Sequence, residues 1–127
     1  MILVDSDVLI AHLRGVPAAR AWLRDARARG PLSISAVTVA EITGGVRSGE
    51  ERSVNALLEA LTTHPVTDRV ARRSGALRRE FSRSHSEIGL GDYLIAATAL
   101  ELGLELATLN ARHFPMLTVI TPFALPR

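Results

Sequence analysis

Asp5, Glu41 and Asp92 are the side chains of this sequence best placed to do chemistry. Asp5 closes the apolar run Met1–Val4, Glu41 lies in SAVTVAEI among Val37, Val39, Ala40 and Ile42, and Asp92 follows the flexible Gly89-Leu90-Gly91. Each has a local explanation when taken alone. Asp5 or Ser6 suits the cap of a short helix beginning at Asp7. Thr38 and Glu41 have the spacing of a capping box, and Asp92 opens a helix of small residues. Gathered at one place, three carboxylates repel and raise one another's pKa, so such a site ordinarily holds a cation. With oxygen donors, no cysteine and no paired histidines, the cation expected is Mg²⁺ or Mn²⁺. An ion of that kind orients a water, lowers its pKa and neutralises charge on a phosphoryl group, which outlines phosphodiester hydrolysis.

Bringing the three acids together requires a particular scaffold. Met1–Val4, with no polar break, reads as a strand buried on both faces, as in a parallel sheet covered by helices. Further short strands are expected at 32–35, at 64–67 with Pro65 near its start and therefore at an edge, at 104–108 and at 117–120. Helices are expected at 7–13, from Pro17 to about 29, at 51–63, from an Asp68 cap to about 84, and from Asp92 until Gly103 stops it. Strands alternating with helices over this length imply a three-layer α/β/α domain with a mainly parallel sheet of four to five strands. Ligands bind such sheets beyond the carboxyl ends of the strands, which is where Asp5 falls. The right hand of the crossovers can carry Glu41 and Asp92 to the same edge.

Val54, Leu57, Leu58 and Leu61 recur at helical spacing and read as core. His64 reads as a surface residue, since no other ligand-type side chain lies at metal-binding spacing from it. In the following helix, 100° steps place Arg69, Arg72, Arg73, Arg79 and Arg83 within about a third of the circumference, beside an apolar stripe of Val70, Leu77 and Phe81. Guanidinium groups so arrayed suit a phosphate backbone, although a plain solvated face has the same pattern.

The 127 residues suffice for one core, and 47% of them are apolar. All 15 basic residues are arginine, so chemistry that needs a lysine is excluded. The net charge of +2 says little about nucleic acid. The absence of cysteine rules out disulfides and a thiolate nucleophile. No run reaches the roughly 18 apolar residues of a membrane span, and the start does not read as a signal peptide, so a cytoplasmic protein without a membrane partner is expected.

VDSDVLI at the start, SAVTVAEI around Glu41, GDYLIAATAL around Asp92 and TLNARHF from Thr108 resemble, in order, the motifs of the PIN-domain ribonucleases, in particular the VapC toxins of bacterial toxin–antitoxin pairs. The resemblance spans nearly the whole chain. It implies a single PIN domain over residues 1–127 with strand order 3-2-1-4-5, and Mg²⁺-dependent endonucleolytic cleavage of RNA. A cognate VapB-type antitoxin and a homodimer are implied as well. Carried over, Asp5 and Asp92 are the chief metal ligands and Glu41 the third acid, binding metal or placing water. The chain departs from the family in its last motif, where an acid is common at the position of Asn110 or of His113. Asn110 retains a carbonyl ligand and an amide donor for the catalytic site, and His113 retains a donor for phosphate. Asp7, where the family often has Ser or Asn, adds a further carboxylate.

Two other readings compete. VDSDVL also satisfies the Asp-x-Asp motif of haloacid-dehalogenase-like phosphatases, with Asp5 as nucleophile and Asp7 as acid/base. Those enzymes need a lysine and a further acidic pair, and this chain has no lysine and Ala96 four residues after Asp92. The missing fourth acid admits a PIN-like module that binds RNA or a partner without cutting.

Overall fold

In a computed structural model that describes residues 1–125, five strands form one sheet of order β3-β2-β1-β4-β5. The strands are β1 (Ile2–Val4), β2 (Leu32–Ser35), β3 (Thr62–His64), β4 (Glu105–Ala107) and β5 (Val119–Ile120). Every neighbouring pair is parallel, so the expected topology holds without an antiparallel exception. β1 is the centre, with Leu3 and Val4 fully buried. Their apolar run lacks the alternation of a half-exposed strand because neither face meets water.

Six helices cover the faces: α1 (Ser6–Leu13), α2 (Pro17–Arg29), α3 (Ala36–Gly44), α4 (Glu51–Glu59), α5 (Asp68–Phe81) and α6 (Leu90–Leu102). Leu3, Leu106 and Phe114 pack with Val70, Leu77, Tyr93 and Ala96 on the α5/α6 side. Val4, Ile34, Val8, Leu9, Leu23 and Val54 form a second cluster under α1, α2 and α4. The alanines of α6 let it lie close to the sheet, and Ala96, Ala97 and Ala99 are essentially without solvent contact. Gly103 ends it in the left-handed region at φ 65°, where a side chain is strained.

Several boundaries differ from the sequence expectation for local reasons. α4 stops at Glu59, because Thr62 and Thr63 pair with Ser33 and Ile34 as β3 and leave Pro65 beyond the strand instead of at its start. α5 is capped by Thr67, whose Oγ1 accepts from Val70 N at 3.1 Å, with Asp68 already inside the helix. It ends at Phe81, which puts Arg83 in the turn that follows. α6 begins at Leu90, two residues before Asp92. His64 is half-buried, not a surface residue, and its Nε2 is shielded without a partner among the described residues.

Candidate active site

The carboxyl ends of the central strands hold the acids. Asp5 continues β1, and its N–H still donates to Ala107 O of β4 at 2.9 Å. Its Oδ1 accepts from Ser6 N at 2.8 Å as the cap of α1, while Oδ2 accepts from Thr108 Oγ1 at 2.8 Å. The local capping role is therefore real, and it occupies only one of the two carboxylate oxygens. Asp5 is 6% exposed. Burial first, and then the neighbouring Asp7, push its pKa up to about 7, against the hydrogen bonds from Thr108 and Ser6.

Asp7, in the first turn of α1, accepts from Leu109 N at 3.1 Å on Oδ2 and 3.3 Å on Oδ1. Its pKa is also raised, chiefly by burial, and the charge of Asp92 contributes. Glu41 lies in the interior of α3. Ser35, not Thr38, caps this helix by accepting from Val37 N at 3.1 Å, so the capping-box explanation for Glu41 does not apply. The Glu41 side chain keeps an exposed outer surface, yet its pKa is raised by partial desolvation and next by Asp92, with Asp7 adding and Ser6 opposing. Asp92, at the third position of α6, accepts from Gly89 N at 3.3 Å as a helix cap and lies 3.0 Å from His113 Nδ1 through the same Oδ2.

Four elements thus bring Asp5, Asp7, Glu41 and Asp92 within electrostatic reach of one another. Among the described residues no group of three or more Asp, Glu, His or Cys side chains is placed to hold a metal ion together. Mg²⁺ does not require one: it is commonly held by one or two carboxylates and keeps several waters. An all-oxygen set of acids, with one imidazole beside them, matches that hard, hydrated cation in donor chemistry.

The remaining sequence candidates divide. Asn110 stands beside Asp7 and Leu109 at the mouth of a cavity, its N–H donating to Thr108 Oγ1 at 3.0 Å. His113 meets Asp92 as described. Arg69 and Arg73 do not line the acids: both pair with Glu101 of α6, at 3.3 and 3.0 Å. Glu101 is nine residues beyond Asp92, roughly 13 Å along the helix. Arg72 pairs with Asp68 at 2.7 Å on its own helix. Arg79 and Arg83 are exposed and make no ion pair among the described residues. Because α5 packs antiparallel to α6, they follow towards the end of α6 that carries Asp92.

Thr108 was not among the sequence candidates. It is fully buried, donates to Asp5, lies 3.4 Å from Asp7 Oδ2 and accepts from Asn110 N. One hydroxyl thus fixes two acids and the turn after β4. The available signal was a hydroxyl directly after an apolar strand that ends at the ligand-binding edge.

The PIN domain family model matches residues 2–116. This chain is a member of the PIN-domain family. Within that family it is 59% identical over 127 residues to Ribonuclease VapC10 of Mycobacterium tuberculosis strain H37Rv, covering 99% of this chain and 96% of the relative. It is 38% identical over 123 residues to Ribonuclease VapC19 of Mycobacterium tuberculosis, covering 96% and 98%. It therefore groups with the VapC-type PIN domains. A solved toxin–antitoxin complex from Klebsiella pneumoniae superposes with a TM-score of 0.81 at 29% identity, over 98% of this chain and all of the other. The phosphatase reading of the Asp5-x-Asp7 motif is thereby overturned, and the all-parallel 3-2-1-4-5 sheet of this PIN domain is the arrangement the resemblance implied.

Proposed function

We propose that this protein is the ribonuclease toxin of a toxin–antitoxin pair, one PIN domain that hydrolyses RNA phosphodiester bonds with Mg²⁺, or Mn²⁺ in its place. Its place among VapC-type ribonucleases makes it an endoribonuclease, a hydrolase. The observation that carries the metal-dependent reading is the mutual coupling of Asp5, Asp7, Glu41 and Asp92 at one sheet edge. Asp5 and Asp92 would hold the cation, with Glu41 as the third acid, binding metal or placing water. When bound, that cation supplies a water of lowered pKa and neutralises charge on the phosphoryl group.

The chain's own groups do the rest. Thr108 and Ser6 N–H fix both oxygens of Asp5, so the carboxylate is oriented before substrate arrives. Gly89 N–H and His113 Nδ1 both meet Oδ2 of Asp92 and hold that one oxygen. Glu41, with its raised proton affinity, would take a proton from the attacking water as its oxygen bonds to phosphorus and the P–O bond to the leaving ribose oxygen breaks, that oxygen gaining its proton from solvent. His113 faces the phosphate from beside Asp92. Arg79 and Arg83 steer the RNA backbone, while Arg69, Arg72 and Arg73 are engaged by Glu101 and Asp68 in surface ion pairs and contribute less to it.

The neighbour from Klebsiella pneumoniae is a toxin–antitoxin complex, which supports a VapB-type antitoxin as the partner here. A groove of about 600 Å³ between α2 and α4 has an apolar floor of Leu23, Leu57 and Leu61 under Arg20, Arg24 and Arg27. That chemistry suits an acidic amphipathic segment. A homodimer completes the proposal. Among the described residues no helix is long and apolar enough to cross a membrane.

Purified protein free of antitoxin, incubated with structured RNA and Mg²⁺ or Mn²⁺, tests the reading. Cleavage should depend on the metal and fall by at least ~100-fold in Asp5→Asn and Asp92→Asn. Wild type and both variants equally inert with either metal would overturn catalysis and leave a module that only binds.

A further inference from the structure

A second cavity, of about 510 Å³, opens directly beside the acids. Ile10, Ala11, Val16, Leu109 and Leu125 give it an apolar lining, and Asp7, Asn110 and Arg14 are its polar members. Its volume is that of a small-molecule pocket, and a mostly apolar lining with a few placed polar groups is what such pockets share. Ile10 stays 39% exposed in it.

Asn110 supplies the independent observation. It occupies the residue before the 3₁₀ turn Ala111–His113, where asparagine ordinarily spends its side chain on the backbone. Here it makes no side-chain cap bond, and among the described residues its amide has no protein partner. A carbonyl acceptor and an NH₂ donor are left together at the mouth of an apolar slot. Arg14 is tethered as well: its Nη1 donates to Glu50 Oε2 at 2.7 Å, which keeps the guanidinium beside the cavity.

We propose that this cavity is a nucleobase subsite, in which Asn110 reads the edge of a base adjoining the scissile phosphate and Arg14 offers a plane for it to stack on. This rests on the endoribonuclease reading. Single-stranded RNA is recognised by splaying bases into slots, stacking them on aromatic rings or guanidinium planes and bonding their edges. The Asn amide, an acceptor beside a donor, pairs two-fold with any of the four bases, so the choice falls on which of them present an amino group beside an unprotonated ring nitrogen at the edge that meets Asp7. Adenine and cytosine do so. Asp7 reinforces the choice, because a carboxylate accepts an exocyclic amino group and repels the carbonyl of uracil. Guanine and uracil put a carbonyl where adenine and cytosine carry that amino group, and the lone pairs left on the Asp7 oxygens beside the Leu109 N–H contact disfavour both. Asn110 is then a specificity-determining residue, and the substitution of the family's acid gains a reason in base selection.

The test measures binding and cutting separately. Fluorescence anisotropy of labelled A, C, G and U tetranucleotides in EDTA should show A and C binding about tenfold more tightly than G and U. Asn110→Leu should level the four, and Val16→Trp, which fills the slot, should weaken A and C towards the others. Cut-site mapping on a randomised RNA pool with Mg²⁺ should show A or C enriched at one fixed position beside the break in wild type, and no such bias in Asn110→Leu. Cutting by wild type without base bias, together with equal binding of the four, overturns the subsite and leaves the nuclease reading intact. Biased binding without cutting supports the subsite and defeats the nuclease. A preference that survives in Asn110→Leu, or an apolar peptide that binds the slot while the four oligonucleotides bind alike, overturns the proposal.

Discussion

Replacing Asp5 by Asn keeps the shape and removes one charge from the most buried of the acids. The folded protein holds the Asp5 proton to about pH 7, whereas the unfolded chain releases it near the ordinary 3.8. Ionising Asp5 therefore costs folded stability, beginning near pH 4, growing with pH and becoming constant above about pH 7. At about 1.4 kcal/mol for each tenfold difference in proton affinity, the cost is about 4 kcal/mol at pH 8 and under about 2 kcal/mol at pH 5. Asn escapes it and gives up one of the two accepted hydrogen bonds, from Ser6 N or Thr108 Oγ1, worth about 1–2 kcal/mol. The variant should thus be more stable than wild type by about 2–3 kcal/mol at pH 8 in EDTA, a rise in Tm of about 8 °C, and nearly equal to it at pH 5. Adding Mg²⁺ should raise the Tm of wild type and leave the variant unmoved, since a ligand stabilises only the form that binds it. Thermal unfolding by circular dichroism at both pH values, with and without Mg²⁺, reads all of this. A variant less stable than wild type at pH 8, or one whose advantage does not change with pH, would show that Asp5 is a helix cap first and that the charge argument is wrong.

Thr108→Val keeps volume and removes the hydroxyl shared by Asp5 and Asn110; kcat for RNA cleavage should drop by about 10–100-fold with KM little changed, read by initial rates. Arg79→Ala and Arg83→Ala should each reduce the slope of log affinity against log salt for single-stranded RNA by about 0.7, while Arg72→Ala, already paired with Asp68, leaves it as it is. Gly103→Ala puts a side chain at φ 65° and should lower stability by about 1 kcal/mol in urea titration, with cleavage kinetics preserved in the folded fraction.

What the sequence revealed follows from the range over which each feature is determined. Pro17 at the first position of α2 and Gly103 after α6 are signals carried by one residue, and both ends lie where those residues put them. The strand of Met1–Val4 and the place of Asp5 at its end needed only an apolar run and a polar stop. The interior of α3 was less legible, because the hydroxyl that caps it is Ser35, already the last residue of β2, and Thr38 offered a spacing that the backbone never uses. The arginine stripe of α5 has the periodicity that was read. Its consequence depended on Glu101, which a different helix brings alongside, and periodicity within one segment carries nothing about charges on its neighbour. Thr108 was missed for the same reason: its importance lies in bonds to residues about a hundred positions earlier.

That separation has a consequence for synthesis. The middle strand of the sheet is made first, and one of its two neighbours, together with the hydroxyl that orients Asp5, is contributed by residues 105–108. A ribosome extending this chain carries Asp5 for most of translation with nothing to fix its second oxygen and only β2 alongside β1. Nascent chains that stop short of residue 108 hold the acids without the arrangement that makes them a site, so a translating cell is not exposed to the activity until the polypeptide has grown past that point.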